Sequence, residues 1–380
     1  MRKILWTLLL AWLQLLACSA PAQCKIGDSS CALNSLPLLF SRTILARFLF
    51  SANQTGNNLN VYRISQATGQ LTSVGTIAAG TYPTSVGSAL DSRFVYVSNQ
   101  NSNDITQLIV DPISGAPTAN GSLTIAGGSP QAILIPTGGQ FGFSANYALN
   151  NLSNLVINSM TGQLTQSSVT GAGTSPQGIV FDSTQSNLFS VNFNSNNVSC
   201  FSVTANGGLS LNATVSTGGG SGPFEMVIHP NGRFAYVSLS TLGQVSVHSI
   251  TNGVLSSSLA TYGAGTSNKH IVIHPSGSFV YAVNFGSSNI SIFTVQSNGL
   301  LSGPTNVTTP ANPLGFVFEP GGKYAYGAGG LSTITTYSVD STTGSLTAIG
   351  TTNSGTGSSS LSVGLFSTFL GDGRRPGGPL

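Results

Sequence analysis

Residues 93 to 111 read RFVYVSNQNSNDITQLIVD, and close variants recur: RFLFSANQTGNNLNVYRIS from Arg47, RFAYVSLSTLGQVSVHSIT from Arg233 and SFVYAVNFGSSNISIFTVQ from Ser278. Aligned on this aromatic strand, the chain has starts at Arg47, Arg93, Gln140, Asn187, Arg233, Ser278 and Lys323, spaced 46, 47, 47, 46, 45 and 45 residues apart. A single period over seven copies means that one supersecondary unit is repeated, each copy burying its apolar face against the next.

Four parts recur in each copy. An apolar run comes first, usually opened by proline: PQAILI at Pro130, PQGIVF at Pro176, PFEMVI at Pro223, NKHIVI at Asn268 and PLGFVF at Pro313. Continuous short apolar runs suit a strand covered on both faces. A turn such as HPNG or EPGG leads to the alternating aromatic strand, a third strand follows, and a TG-x-L or NG-x-L turn, as at Thr68, Thr161, Asn206, Asn252 and Thr343, leads to a polar outer strand. Glycine in that turn supplies a positive φ at no steric cost. The expectation is an all-β chain, a seven-bladed β-propeller of four-stranded antiparallel blades over residues 37–370, with a flexible tail at 371–380. Both Pro37–Ile44 and the run from Ser358 resemble the innermost strand. One of them is expected to complete the blade that closes the ring, since an open ring would leave unpaired edges.

The chain has 380 residues, of which only 6% are charged, and 47 glycines, so its surface must be wetted by hydroxyls and amides. The net charge of +3 includes Arg2 and Lys3, and no basic cluster of the kind that binds nucleic acid is visible. The opening MRKILWTLLLAWLQLLACSAPAQC couples two basic residues to an apolar run too short to span a bilayer comfortably, followed by small residues. Residues 1–22 are therefore read as an export signal and 23–36 as a linker, which places the protein outside the cytoplasm, in the periplasm, on the outer membrane or secreted. LLAC at Leu15–Cys18 resembles a lipobox, in which Cys18 becomes the lipidated first residue; cleavage after SAPA is the alternative. A lipid there would be the only membrane attachment. In an oxidising compartment Cys24 and Cys31 could bridge or remain idle thiols, and Cys200, inside a strand pattern, reads as a small buried hydrophobe.

Repeat alignment also sorts the polar residues. Asp182, His229, His274 and Glu319 share one turn position and read as turn chemistry, His248 aligns with aromatic residues of the third strand, and Asn53, Asn99, Asn146, Asn192 and Asn284 end the second strand, where loop hydrogen bonds to backbone are expected. The second residue after the strand-opening proline runs Leu39, Ser85, Ala132, Gly178, Glu225, His270 and Gly315. It is small in most copies, but a carboxylate and an imidazole, the groups of acid and base catalysis, stand in two consecutive ones. Lys269, Gln131 and Gln177 occupy the preceding position. Glu225, His270 and Lys269 are thus the candidate catalytic residues and Gln131 and Gln177 the candidate ligand-binding residues, all at one mouth of the central channel and opposite His229 and His274. The bland alternative pairs Glu225 with Lys269 and gives His270 to a loop carbonyl. No His or Cys cluster has metal-ligand spacing, no nucleotide-binding glycine motif occurs, and no cofactor is expected.

The period, the phrase of proline, apolar strand, P-[NSG]-G-[RKS]-[FY]-[AV]-Y, and the TG-x-L turn resemble the seven-bladed lactonase propellers, which include propeller-type 6-phosphogluconolactonases and fungal carboxymuconate cycloisomerases; related YVTN-type repeats occur in exported proteins. The resemblance implies a site at the channel mouth built with His, Glu and Arg, and this chain supplies no Arg there, since Arg47, Arg93 and Arg233 open the second strand. Two functions follow as expectations. The leading one is a monomeric binding or scaffold module for a glycan or envelope partner; the alternative is a lactone hydrolase acting on a sugar lactone. The N-terminal reading is checked by intact mass of the mature protein: a diacylglyceryl-modified chain starting at Cys18 is expected, and an unmodified chain starting near Gln23 would show ordinary signal cleavage.

Overall fold

The structure, a computed structural model, describes residues 43–88, 93–329 and 332–368. Cys18, Cys24, Cys31, Leu39, the proposed signal, the linker, the tail and the outermost residues assigned to the propeller lie outside that set. Thr43–Thr368 forms one compact unit. It contains seven antiparallel sheets and, among the described residues, no helix. Blade one comprises Pro83–Ser88, Phe94–Asn99, Asp104–Val110 and Pro117–Thr124, and blades two and three begin at Pro130 and Pro176. Blade four begins at Pro223, and its outer position is split into Val254–Leu255 and Ala260–Gly263, both paired to Gln244–Thr251. Blades five and six begin at Asn268 and Pro313. The innermost strands neighbour one another in cyclic order, so the ring is closed.

Closure is made in blade seven, where Ser358–Thr368 pairs antiparallel with Thr43–Asn53, followed outward by Asn58–Ile64 and Leu71–Ala78. The C-terminal run therefore supplies the innermost strand. The position that sequence gave to Leu39 is held here by Ser360, because Asn53 pairs with Ser358 as Asn99 pairs with Pro83.

Burial peaks at the second strand of each blade, is partial in the innermost strand that lines the channel, as in Pro176–Phe181, and is lowest at the outer edge. Phe94–Asn99 is buried at all six positions, whereas in Leu164–Gly171 only the first residue is. Among the described residues there is no central core. The apolar side chains form seven clusters, one at each junction between neighbouring blades, such as Phe48, Phe50 and Val61 of blade seven against Val95, Val97 and Leu108 of blade one.

The two most repeated phrases of the sequence meet at these junctions. The glycine of each TG-x-L-type turn, Gly69, Gly115, Gly162, Gly207, Gly253, Gly299 or Gly344, has φ between 71° and 81°. Each lies under a side chain of the preceding blade's second strand, the opening residue in six blades and Phe48 within Thr43–Asn53 in the other: Tyr324, Phe48, Phe94, Phe141, Asn187, Phe234 and Phe279 in the same order. A Cβ on any of these glycines would lie 2.1 to 2.9 Å from that side chain. Two residues along, the phenols of Tyr96, Tyr236, Tyr281 and Tyr326 donate to the carbonyls of Gly162, Gly299, Gly344 and Gly69 at 2.7, 3.0, 2.7 and 2.9 Å. Burial pushes these phenols well above their ordinary pKa, so they remain donors. Arg93 and Arg233 stack on Phe94 and Phe234 at 5.4 and 5.9 Å, which keeps these cations at the junctions.

Tyr326→Phe removes the hydrogen bond that ties blade six to blade seven, leaves the ring as it already is at Phe50, Phe143 and Phe189, and should cost about 1 kcal/mol. Gly69→Ala combines a positive φ with overpacking against Tyr324 and should cost roughly 2–4 kcal/mol. Denaturant unfolding of both variants checks the order; equal stabilities would contradict this account of the junction.

Candidate functional site

The channel mouth is shaped by a repeated irregularity. Each inner strand pairs at its opening residue, skips the next and resumes, as between Pro83 and Ser85, Pro130 and Ala132, Pro176 and Gly178, and Asn268 and His270. Such a bulge frees the skipped residue from the ladder and re-aims it. The skipped residues Thr84, Gln131, Gln177, Lys269 and Leu314, with Phe224, line a cavity of about 490 Å3 together with Ser85, Glu225, His270 and Ser360 of the following position. In blade four the pairing lapses over both Phe224 and Glu225, and Ser238 Oγ bridges the gap by accepting from Glu225 N (3.0 Å) and donating to Glu225 O (3.2 Å).

Glu225 and His270, on adjacent blades, form an ion pair between Glu225 Oε2 and His270 Nδ1. The same Oε2 accepts from Ile271 N at 3.1 Å, and His270 Nε2–H donates to Phe316 O at 2.7 Å. Three consecutive inner strands are thus threaded by one chain of polar contacts. Burial alone would lower the His270 pKa, but the Glu225 charge, its hydrogen bond and the Phe316 carbonyl outweigh that and raise it above its ordinary 6.5. With both nitrogens donating, the imidazolium has no lone pair for a substrate proton. Of the two, Glu225 keeps an oxygen able to accept a proton: its side chain is 31% exposed and its Oε1 has no protein partner among the described residues.

Lys269 does not pair with Glu225; its ammonium lies 4.3 Å from the centre of the Phe285 ring, at the rim. Gln131 Oε1 and Gln177 Oε1 are buried without a protein partner. A second hollow of about 330 Å3 continues the channel outward and shares Gln54, Gln131, Gln177, Phe224, Lys269 and Leu314 with it, adding Gln100, Tyr82, Tyr147 and Phe285. The mouth therefore presents an arc of amides, a set of aromatic rings and one carboxylate–imidazolium pair. That combination suits an uncharged, hydroxyl-rich ligand with an apolar ring face.

The candidates at the far ends of the inner strands do other work. Asp182 accepts from Ser186 N and Asn187 N at 3.0 and 3.1 Å, Glu319 from Gly321 N and Lys323 N at 2.8 and 2.7 Å, and His229 Nδ1 from Asn231 N at 3.1 Å. His274 Nε2–H donates to Gly322 O of the next blade at 3.0 Å. These bonds hold turns. His248 is fully buried between Ser246 Oγ and Ser256 O, and burial lowers its pKa, which leaves it neutral. Cys200 is buried as expected. The strand-ending asparagines depart from expectation: they bond mainly to side chains of the third strand rather than to backbone. Asn146 Nδ2 donates to Asn151 Oδ1 and Ser153 Oγ at 2.8 and 2.7 Å, and Asn192 and Asn284 repeat the pattern. The hairpin brings the positions five and seven residues on within reach of the asparagine.

The profile of the family described as Lactonase, 7-bladed beta-propeller, matches residues 41–130 and 118–362. The chain belongs to this family. Among solved structures, this lactonase-family propeller is similar to a candidate 6-phosphogluconolactonase of Bacteroides uniformis, with 22% identity and a TM-score of 0.76 over 84% of this chain and 99% of the other. It is also similar to the periplasmic gluconolactonase PpgL of Pseudomonas aeruginosa, with 22% identity and a TM-score of 0.74 over the same shares. At such identities the likeness is one of fold. No protein of curated function matches.

Sequence reasoning missed the outer ring of the mouth in this lactonase-family chain. Gln54, Gln100, Tyr147, Phe193 and Phe285 each follow the strand-ending asparagine, so the alignment that found Glu225 carried them as well. Their variation from amide to aromatic was the signal.

Followed by NMR, the His270 ring should titrate above 6.5 in the wild type, and Glu225→Gln should move it down. Since its folded pKa is raised, its stabilising contribution is complete below the unfolded value and is lost as pH rises through the folded one. The wild type's stability advantage over Glu225→Gln should therefore shrink with rising pH. Superimposable titration curves would mean that the pair does not interact.

Proposed function

We propose that the protein hydrolyses the ester bond of an unphosphorylated sugar lactone at the channel mouth. The observation that carries this reading is the Glu225–His270 pair, with Glu225 Oε1 free and facing a cavity of ligand size. Family membership supports it over the binding or scaffold reading. In the proposed reaction Glu225 takes a proton from water as the water attacks the lactone carbonyl, and Lys269, able to swing from Phe285, steadies the tetrahedral oxyanion. Collapse breaks the bond between the carbonyl carbon and the ring oxygen, and Glu225 returns the proton to that oxygen. The product is the open hydroxy acid. His270, held as imidazolium, keeps Glu225 ionised and oriented.

Among the described residues lining the mouth, Lys269 is the sole Lys or Arg, which argues against a phosphorylated substrate, because phosphate recognition favours bidentate arginine. Export, if the N-terminal reading holds, would give the enzyme access to lactones formed outside the cytoplasm. The protein is expected to act as a monomer.

Purified protein should accelerate the opening of a sugar δ-lactone above the spontaneous rate, followed by acid release at constant pH. Glu225→Gln should lower kcat by about 100-fold or more, and Lys269→Met by a smaller factor. A wild type without rate enhancement on any lactone of a broad panel, or a Glu225→Gln variant of full activity, would refute the proposal.

A further inference from the structure

The wall of the mouth is lowered at one point. The residue after the second strand is Gln54, Gln100, Tyr147, Phe193, Ser240 and Phe285 where it is described, and Ser240 is the smallest. Blade four breaks the pattern twice more. Leu239 stands where five other blades carry asparagine, and the loop before its inner strand, residues 217–222, has six residues, four of them glycine, where the other blades have four or five. Behind this gap lies a further cavity of about 500 Å3 that shares Phe224 and Lys269 with the channel. Phe224 immediately precedes Glu225, and Lys269 precedes His270, so the groove begins one residue from the ion pair.

The groove's chemistry is mixed in a particular way. Phe193 and Phe224 meet edge to face at 6.1 Å and 84°, and Leu242, 50% exposed, extends the apolar wall. Ser240, Thr241, Thr266 and Ser267, each bearing a hydroxyl, also line the groove. A pyranose ring has an apolar C–H face and a hydroxyl edge, which aromatic rings and hydroxyls satisfy together. An acyl chain would leave the four hydroxyls facing methylenes, and an anionic group would find Lys269 alone.

We propose that this groove is a subsite for a second sugar ring, and that the preferred substrate is the lactone of a disaccharide, its lactone ring at Glu225 and its glycosyl ring against Phe193 and Phe224. This rests on the lactone-hydrolase reading of the Glu225–His270 pair. Binding energy from the remote ring would be used to position the reacting carbonyl, so a substrate lacking it loses rate as well as affinity.

The test compares kcat/KM for cellobionolactone and gluconolactone. The wild type should favour the disaccharide by about tenfold or more, and Ser240→Tyr, which fills the gap with the residue type of position 147, should bring the ratio to about one. Equal kcat/KM in the wild type, a ratio unchanged by Ser240→Tyr, or a stronger preference for an acyl-substituted lactone would overturn the inference while leaving the hydrolase reading in place. If the wild type hydrolyses no lactone, the hydrolase reading fails, and the subsite is decided by calorimetry with methyl β-cellobioside. Binding that Ser240→Tyr abolishes would uphold the sugar subsite, and no binding to the wild type would overturn it.

Discussion

A glycine turn under a side chain of the neighbouring blade's second strand is the contact on which the whole molecule depends. It recurs at all seven junctions, and at four of them a buried phenol doubles it. Either half alone would be an ordinary hairpin feature. Together they fix how far one blade can approach the next, and that spacing, repeated seven times, sets the angle at which the ring closes. The width of the channel follows, and with it the separation of Glu225 from His270, which belong to different blades and meet only because those blades are held at this distance.

Rigidity at the junctions also frees the mouth. Inner strands tolerate a bulge at their openings because each is the channel-side edge of its sheet, and the bulged side chains project into the mouth, where they need not fit the packing of a blade junction. Threonine, glutamine, phenylalanine, lysine and leucine therefore share one structural position without disturbing the ring. Function is written at the positions that the repeat does not use.

This division explains what was legible in the sequence. The blade count and strand order were readable because junction contacts demand the same glycine and aromatic residues every 45 to 47 residues. Glu225 and His270 were readable as breaks in that symmetry. Their meeting was readable too, since one repeat position on adjacent blades brings them together; what the sequence left open was the place of Lys269, because it is adjacent to His270 and only the bulge turns it toward Phe285 instead of Glu225. Ser360 was missed for a related reason: two segments had the apolar pattern of the closing strand, and only the pairing of Ser358 with Asn53 chooses between them. The Asn–Asn and Asn–Ser bonds depend on cross-strand register, which a pattern of residue types does not specify.

The closing blade has a consequence for the order in which the molecule can assemble. Six blades are built from strands contiguous in the chain and can form as soon as their residues are available. In blade seven the hydroxyls of Ser51 and Ser358 meet across 307 residues of sequence. Thr43–Asn53 must therefore wait, one edge unpaired, until almost all of the described chain has taken shape. Of all the pairings in the fold this one closes the longest loop, and pairings so distant in sequence slow folding. An open-edged strand of this kind is the segment most exposed to misassembly in the interval, so the last pairing governs how quickly the protein escapes that risk.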